Sequence, residues 1–401
     1  MVCRAPGGAL QGLAVLLALA APALTPGRAA ADDDSFPALV GTVDTGLYTT
    51  RTVGSQAFIR KVDTVALLGH LRAGLFLSPE LSIQSQVTYE PLRTPLRMPH
   101  KKHVFADEGL YLEQLYAKVE LDDLMVYAGK LDLPLSLAAD IGPGLFGADY
   151  ATDYQLREML GFGGAVHITP DNWGHHRLGF ARFFADNSWL DAAAFTQPNF
   201  GSIDTARTGR LHLGNGGAAN TGSPQSPMVT LDGDASPLGM PALSYHLAWA
   251  SLRHGVDDTR DQTDLVGALH YEGDLGAGFV LRPLIEVARI EHAGGSPVSG
   301  GALLPAAQRA DYISSGVELG WNNWSVSVVR AQRMLIEPVN GSGLDGRSSF
   351  ERLLTGTVGY AFDWGLSVAA GWKHDHSLAP GTTLNADTDS VGLLVNYHQD
   401  F

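Results

Sequence analysis

One long, glycine-rich segment of the chain, Asp132 to Met159, is acidic. Its only basic residue is Arg157. Glycine tolerates backbone conformations that other residues avoid, so the segment can fold tightly. Carboxylates on a loop that folds into a water-filled space would place negative charge beside the path of a passing solute. The candidates are Asp140, Asp149, Asp153 and Glu158.

Basic residues recur elsewhere, on segments with strand-like alternation. If their side chains point into the same water-filled space, the acidic loop would face a basic wall. The field between loop and wall would let polar solutes align and pass while disfavouring apolar ones. The plainer alternative is that each is a solvated residue or the partner of a nearby acid. The candidate wall residues are His70, Arg72, Lys118, Lys130, His246, His270, Arg282 and Lys373.

The segments that would carry these residues alternate with period two. In residues 81–90, leucine, isoleucine, valine and tyrosine occupy one parity, with one serine among them. Serine, glutamine, threonine and glutamate occupy the other parity. A strand of this kind has one apolar face, which we call oily, and one polar face, which we call wet. We expect the oily face to meet lipid and the wet face to meet water, as in a transmembrane β-barrel.

The final segment, Val391 to Phe401, alternates in the same way up to an aromatic C-terminal residue. We interpret it as the closing strand, with Tyr397 and Phe401 serving barrel closure and assembly. Counting hairpins back from Phe401 gives sixteen strands, an even number as bacterial barrels require. The count needs Pro227 to Asp232 to span the membrane. Residues 186–225 then form an exposed surface loop, and the acidic segment becomes the third external loop.

Two further features concern the wall of this barrel. An aromatic girdle is expected beside the short turns, since indole and phenyl rings favour the membrane interface. The alternation of Trp324 to Arg333 slips near Val329, which a β-bulge would explain. The girdle residues are Trp321, Trp324, Phe362 and Trp364.

Residues 1–31 have the pattern of a secretory signal peptide, which leaves residues 32–401 as one barrel domain. The apolar stretch Leu13 to Ala21 is too short for a spanning helix. The only cysteine, Cys3, lies in this leader. Without Arg4 and Arg28, the 27 basic residues become 25 against 42 acidic ones, a net charge of −17. Such a balance argues against nucleic acid as a partner.

Sixteen strands, an inward third loop and an aromatic C-terminal residue resemble the general porin superfamily of Gram-negative outer membranes. Residues 127–134, Y-A-G-K-L-D-L-P, are similar to the Gly-Arg/Lys segment that enters the constriction loop of many porins. Lys130 stands where arginine is common, and Gln399 interrupts the apolar spacing before Phe401. The resemblance implies an all-β transmembrane antiparallel barrel in the outer membrane. It also implies insertion by the barrel-assembly machinery through the C-terminal strand, and a homotrimer.

These observations favour a passive diffusion channel for small hydrophilic solutes, with no enzyme activity and no cofactor. Several inward histidines and basic residues leave open a channel specific for a sugar, an anion or an iron chelate. A barrel enzyme would need a nucleophile or an acid pair beside a histidine, and no such motif is present. Adhesion through the long loops is a fourth possibility. Paired histidines near His100 and His374 suit Zn or Cu, but we attribute their spacing to chance and predict no metal site.

Overall fold

The computed structural model describes residues 36–55, 63–92, 102–106, 108–169, 174–196, 211–256, 260–293, 309–336, 348–378 and 385–401. The predicted signal peptide lies outside these residues. Within them the fold is almost entirely antiparallel sheet. Sixteen long strands form the wall: β1 Ala38–Ser55, β2 Asp63–Phe76, β3 Leu81–Pro91, β4 Glu108–Leu121, β5 Leu124–Leu133, β6 Leu156–Ile168, β7 His176–Ala185, β8 Ser226–Ala235, β9 Met240–Leu252, β10 Gln262–Tyr271, β11 Phe279–Glu291, β12 Arg309–Trp321, β13 Trp324–Ile336, β14 Ser348–Ala361, β15 Leu366–Leu378 and β16 Asn385–Asp400.

Short elements complete the described chain. Three brief strands, Lys102–Val104, Phe195–Thr196 and Gly273–Gly276, add to the edges of longer ones. One α-helix, α1 (Leu137–Ile141), follows β5, and 3-10 turns span Ala151–Tyr154, Leu213–Asn215 and Ser236–Leu238. No helix among the described residues is long and apolar enough to cross a membrane.

The sheet closes on itself because the last strand pairs with the first. Thr42 lies opposite Asp400, and the pairing of β1 with β16 continues to Ser55 and Thr388. The backbone N–H groups of Gly41 and Phe401 each donate to the other's carbonyl oxygen at 2.9 Å. The Phe401 ring fills the space beside Gly41, where an added Cβ would lie 2.5 Å from its Cζ atom. The predicted sixteen-stranded antiparallel barrel is thus confirmed.

Connections differ at the two ends of the barrel, which we term the turn end (the Phe401 side) and the loop end. Short turns such as Asn322–Asn323 lie at the turn end, and every long connection lies at the loop end. Ser226–Ala235 pairs with both β7 and β9, so the strand predicted at Pro227 to Asp232 is present. This strand preserves the even count.

Outward rows of the wall are apolar and exposed, as the alternation predicts. Leu265 is 57% exposed although its strand, β10, is paired with a neighbour on each side. At the turn end, aromatic rings form a belt over β11–β16. Phe279 stacks on Trp321 at 5.8 Å between ring centroids, and Trp324 meets Tyr360 at 4.8 Å. Phe362, Trp364 and Tyr397 continue this row.

One sector of the barrel interior is lined mostly by apolar side chains, and we call it dry. Another is lined mostly by polar side chains, and we call it wet. Toward the loop end of β7–β13, inward positions hold alanine and larger apolar residues, with Phe183, Leu252 and Ile290 fully buried among a few buried polar groups such as Glu286. On β1–β4 most inward positions are polar, and Arg72 is exposed although it points into the barrel. A solute path through such an interior would follow the wet sector.

The predicted bulge near Val329 is wrong. Strand β13 keeps an unbroken register with β12 and with β14. Val329 is buried at 2% exposure because it faces inward, next to Gly316 and Pro143. An apolar inward residue suits this dry position, so the two adjacent valines, Val328 and Val329, simply lie on opposite faces.

Candidate pore constriction

Residues 134–155, the connection between β5 and β6, fold into the barrel and cross it. Near the start of this segment, the backbone carbonyl oxygen of Leu135 accepts a hydrogen bond from His246 Nε2 on β9, at 3.2 Å. Farther along, the Leu145 N–H donates to Thr357 Oγ1 on β14, at 3.0 Å. The segment then returns along β15, β13 and β11. We term residues 134–155 the crossing loop.

Glu286 on β11 holds both ends of the crossing loop. Its carboxylate accepts hydrogen bonds from the Ser136 hydroxyl at 2.6 Å and from the N–H groups of Leu137 and Ala138 at 2.7 and 3.0 Å. Tyr154, at the other end of the loop, donates to Oε1 at 2.6 Å. Ser136 also caps α1 by accepting from the Ala139 N–H. A fully buried carboxylate is stable here because four donors replace its hydration.

Phe146 seats the tip of the crossing loop in a socket made by two glycines. Gly371 on β15 and Gly392 on β16 lie directly opposite each other. A Cβ added at Gly392 would lie 2.7 Å from the Phe146 ring, and one at Gly371 would lie 3.1 Å from it. The missing side chains therefore create the space that the ring fills, and Phe146 is almost completely buried.

Two of the predicted loop acids contact basic wall residues directly. Asp149 Oδ2 lies 2.7 Å from Lys373 Nζ, which also sits over the Phe146 ring. Asp153 Oδ2 lies 2.5 Å from Arg333 Nη1, and the same guanidinium pairs with Glu351. These two loop acids therefore face basic residues across ion-pair distances instead of across an open lumen.

Asp140 is the loop acid that remains exposed. It accepts a hydrogen bond from Gln155 at 3.2 Å. Partial burial raises the pKa of Asp140 above its ordinary value, and the nearby positive charge of Arg157 opposes that rise. Because Asp149 and Asp153 are paired, Asp140 is the loop carboxylate with the most direct access to water.

Glu158 and Lys130 are not where the sequence places them. Glu158 belongs to strand β6 instead of the loop, in a left-handed backbone conformation with φ 54°. Lys130 lies opposite Leu115 and Leu160, so its register is that of outward residues. Its Nζ is buried 3.0 Å from Glu158 and 2.9 Å from Asp186. The glycine-lysine stretch therefore contributes to a buried ion-pair cluster, in which Lys130 also donates a hydrogen bond to the Leu190 carbonyl oxygen.

The connection from β7 to β8 also differs from expectation. It lies at the loop end and is partly exposed, as predicted, with Trp189 77% exposed, but other described parts of it pack closely. Ala219 and Asn220 are buried, and the Ala219 carbonyl accepts from the Ala185 N–H. Leu211 joins the dry interior and donates its N–H to Asp191 at 2.6 Å. Its glycine-rich composition thus permits tight packing.

Most of the other predicted wall residues have partners. Arg72 pairs with Asp44 at 2.9 Å, and Lys118 pairs with Glu120 at 2.7 Å. Arg282 bridges Glu272 and Glu318. His70 bonds Thr88, His246 bonds Asp232, and His270 lies on β10 facing Ser244. The alternative of paired wall residues therefore describes most of them better than an unpaired basic wall does.

Two residues that hold the crossing loop were missing from the predicted site. Glu286 was recognisable as inward, but nothing local indicates that it would bind a distant loop. Arg333 was hidden by the bulge assumed at Val329, whereas unbroken alternation would have placed it inside. Among the residues that the structure describes, no group of three or more His, Cys, Asp or Glu could hold a metal ion.

Comparisons with known proteins add similarity of shape only. No protein-family model matches the chain, and no curated protein matches its sequence. The outer membrane protein OmpT of Vibrio cholerae, lacking loop L8, is 13% identical, with 90% of this chain and 98% of that chain covered and a TM-score of 0.49. OpdK of Pseudomonas aeruginosa is 12% identical over 91% and 99%, with a TM-score of 0.47. OccAB2 of Acinetobacter baumannii is 11% identical over 90% and 98%, with a TM-score of 0.44.

Proposed function

We propose that this chain is a bacterial outer-membrane channel through which small hydrophilic solutes diffuse passively. The observation that carries the proposal is a closed barrel with an apolar outer face, crossed by a loop that docks on the wall from β9 to β16. A barrel with an oily exterior and a polar sector inside suits a lipid bilayer outside and water within. A docked inner loop narrows such a lumen.

The proposed path runs between the crossing loop and the inward face of β1–β4. Polar side chains of this sector keep access to water, including Arg72 and Lys118. The ion pairs at Lys373 and Arg333 neutralise two loop acids, which leaves Asp140 as the exposed loop charge. We therefore expect a weak preference for cations, set by Asp140 and by the acids of the wet sector.

Single-channel recording in planar lipid bilayers tests the proposal. Purified, folded barrel should give steps of ohmic current in potassium chloride, and the reversal potential in a salt gradient should indicate cation preference. A barrel that remains folded in detergent and inserts into the bilayer without any current would contradict the proposal.

A substrate-specific channel is the second candidate. It is favoured by the one-sided path, whose lining charges are fixed in pairs such as Arg72–Asp44 and Lys118–Glu120. Fixed pairs present defined positions for both charges of a zwitterionic solute, or for the hydroxyl groups of a sugar. Block of the current by one solute class at low concentration would support specificity, whereas equal insensitivity to sugars, anions and iron chelates would leave passive diffusion.

We further propose partners and a role without catalysis. The outer face would contact outer-membrane lipid, and the C-terminal strand ending at Phe401 would engage the barrel-assembly machinery. A homotrimer, implied by the porin resemblance, is testable by mass measurement of the detergent-solubilised protein. Many of the charged interior groups that the structure describes, such as Glu286 and Arg333, have structural partners, which favours transport over enzyme activity.

A further inference from the structure

Strands β13–β15 carry a basic cluster on their outward face, near the loop end. Arg330 and Arg352 are exposed, whereas their strand neighbours Val329 and Leu353 are buried inside the barrel. Alternation therefore places both arginines on the face that also carries the exposed Val328 and Leu354. We term Arg330, Gln332, Arg352 and His376 the outer arginine patch.

Strand register brings the members of the outer arginine patch together. Gln332 lies directly opposite Arg352, and Arg352 lies directly opposite His376. Arg330 is diagonal to Arg352, a relationship that separates Cβ atoms by about 7–8 Å or somewhat less. One tetrahedral anion could therefore contact both guanidinium groups.

Neighbouring groups hold the two arginines without neutralising them. With its amide oxygen turned toward Arg330, Gln332 accepts from Nε and Nη2 at 3.2 and 3.0 Å. The Arg352 guanidinium lies 4.5 Å from the centre of the Phe350 ring. Among the described residues, no carboxylate lies within 4.0 Å of either guanidinium.

Other outward arginines near the loop end differ in this respect. Arg289 and Arg309 both pair with Asp311, at 2.8 and 2.9 Å. On β1, Arg51 lies 3.6 Å from Asp63. Within the described part of the chain, His376 is the only member of the outer arginine patch with an acidic neighbour, Asp387 at 2.5 Å. The patch is therefore a site of uncompensated positive charge on the outer wall.

The row just below the patch is apolar and contains a gap. Val328, Gly356 and Trp372 are consecutive partners across β13, β14 and β15. A Cβ at Gly356 would have no atom within 4 Å, so the wall has a dent there. Trp372 is exposed beside the dent, as expected for an aromatic residue at the membrane interface. An arginine at this height is tolerated best where lipid headgroups reach it.

We propose that the outer arginine patch binds the phosphate of a phosphorylated glycolipid of the outer leaflet, with one acyl chain lying over Gly356. Arginine pairs recognise phosphate through charge-assisted, geometrically matched hydrogen bonds. The dent supplies apolar contact directly beneath. The proposal rests on the membrane location of the proposed function, but not on conduction.

Native mass spectrometry of the folded protein in detergent, titrated with purified bis-phosphorylated lipid A, tests this assignment. The double variant Arg330→Gln/Arg352→Gln should bind about tenfold more weakly or worse. Its matched control, Arg289→Gln, removes an outward arginine that already has an acid. Gly356→Leu, which fills the dent, should also weaken binding, whereas Gly267→Leu on the outward row of β10 should not.

Several outcomes would overturn the proposal. These are wild-type binding by the double arginine variant, equal binding of dephosphorylated lipid A, or equal binding of phosphatidylglycerol. Heat-dependent gel mobility verifies that each variant is a folded barrel. Conductance is recorded on the same samples, so lost lipid selectivity with normal current refutes only this proposal. Absent current with intact lipid binding refutes only the channel.

Discussion

The hydroxyl group of Tyr154 donates a 2.6 Å hydrogen bond to Oε1 of Glu286. Tyr154 lies at the end of the crossing loop. The same carboxylate also accepts a hydrogen bond from the hydroxyl group of Ser136, near the start of the loop. One wall residue therefore fastens both ends of a segment that would otherwise be free to move in the lumen. Since the loop has no regular structure apart from α1 and one 3-10 turn, its position depends on such side-chain anchors.

Replacing Glu286 with glutamine should loosen the crossing loop. The amide keeps the shape of the side chain, but its NH2 group cannot accept from the loop donors. We expect a loss of about 1.5–3 kcal/mol in unfolding free energy, the range for hydrogen bonds to a charged group. Current noise should increase as the loop fluctuates. Glu272→Gln, at an exposed carboxylate of the turn end, is the control for both measurements; equal effects of the two variants would contradict the anchoring role.

Filling the Phe146 socket should displace the loop tip without touching its polar anchors. The change is Gly392→Val, whose Cβ would overlap the Phe146 ring. We expect the tip to move into the lumen, which lowers single-channel conductance, and we expect folding to be retained. Gly356→Val faces open space outside the barrel and serves as the control. Conductance that is unchanged in Gly392→Val would mean that the tip does not border the path.

Neutralising Asp149 and Asp153 together should shift selectivity toward anions. Asparagine at both positions removes one carboxylate partner from Lys373 and one from Arg333, while Asp375 stays 3.9 Å from Lys373 and Glu351 stays paired with Arg333. A unit charge about 10 Å from a passing ion is worth about 0.4 kcal/mol in water, or roughly a twofold change in permeability ratio. The reversal potential in a salt gradient measures this ratio. The Asp311→Asn variant, on the outer face, should leave the potential unchanged; an unchanged potential in the double variant as well would place both acids outside the conducting path.

Much of the barrel could be predicted because apolar and polar residues alternate locally along most strands. Pro227 to Asp232 is short and begins with proline, yet counting hairpins back from Phe401, with short turns at one end and long loops at the other, identified it. Alternation fails where the barrel interior is dry. At Val329 an inward apolar residue mimicked a bulge, since loop residues such as Pro143 cover that part of the wall.

The candidate site was harder to predict because it depends on contacts between residues far apart in the chain. Asp149 and Lys373 were both recognised as charged candidates, but nothing in the sequence indicates that they touch. Lys130 shows the opposite error. Its distorted strand, with Gly129 at φ 144°, and the covering segment around Leu190 bury a side chain that local pattern assigns to the pore.

Acidification should reveal the contribution of the Asp140 charge to cation preference. Burial raises the pKa of this carboxyl group above its ordinary value, so it loses its charge at a higher pH than a free aspartate with a pKa of about 3.9. Cation preference should therefore begin to fall before ordinary surface carboxylates titrate. Reversal potentials recorded between about pH 7 and pH 4 follow this change. In Asp140→Asn the early part of the fall should vanish; a titration identical to wild type would show that Asp140 does not face the path.

The buried cluster of Lys130, Glu158 and Asp186 predicts a strong asymmetry between single and combined substitutions. Lys130→Met leaves two carboxylates facing each other without a cation. Removing one partner from a buried ion pair typically costs about 3–5 kcal/mol. We expect a loss of this size in unfolding free energy, measured by denaturant titration of the barrel in detergent. The triple variant Lys130→Met/Glu158→Gln/Asp186→Asn removes all three charges and should recover most of the loss. If the triple variant is as unstable as Lys130→Met, packing at this position, rather than the unpaired charge, determines the stability.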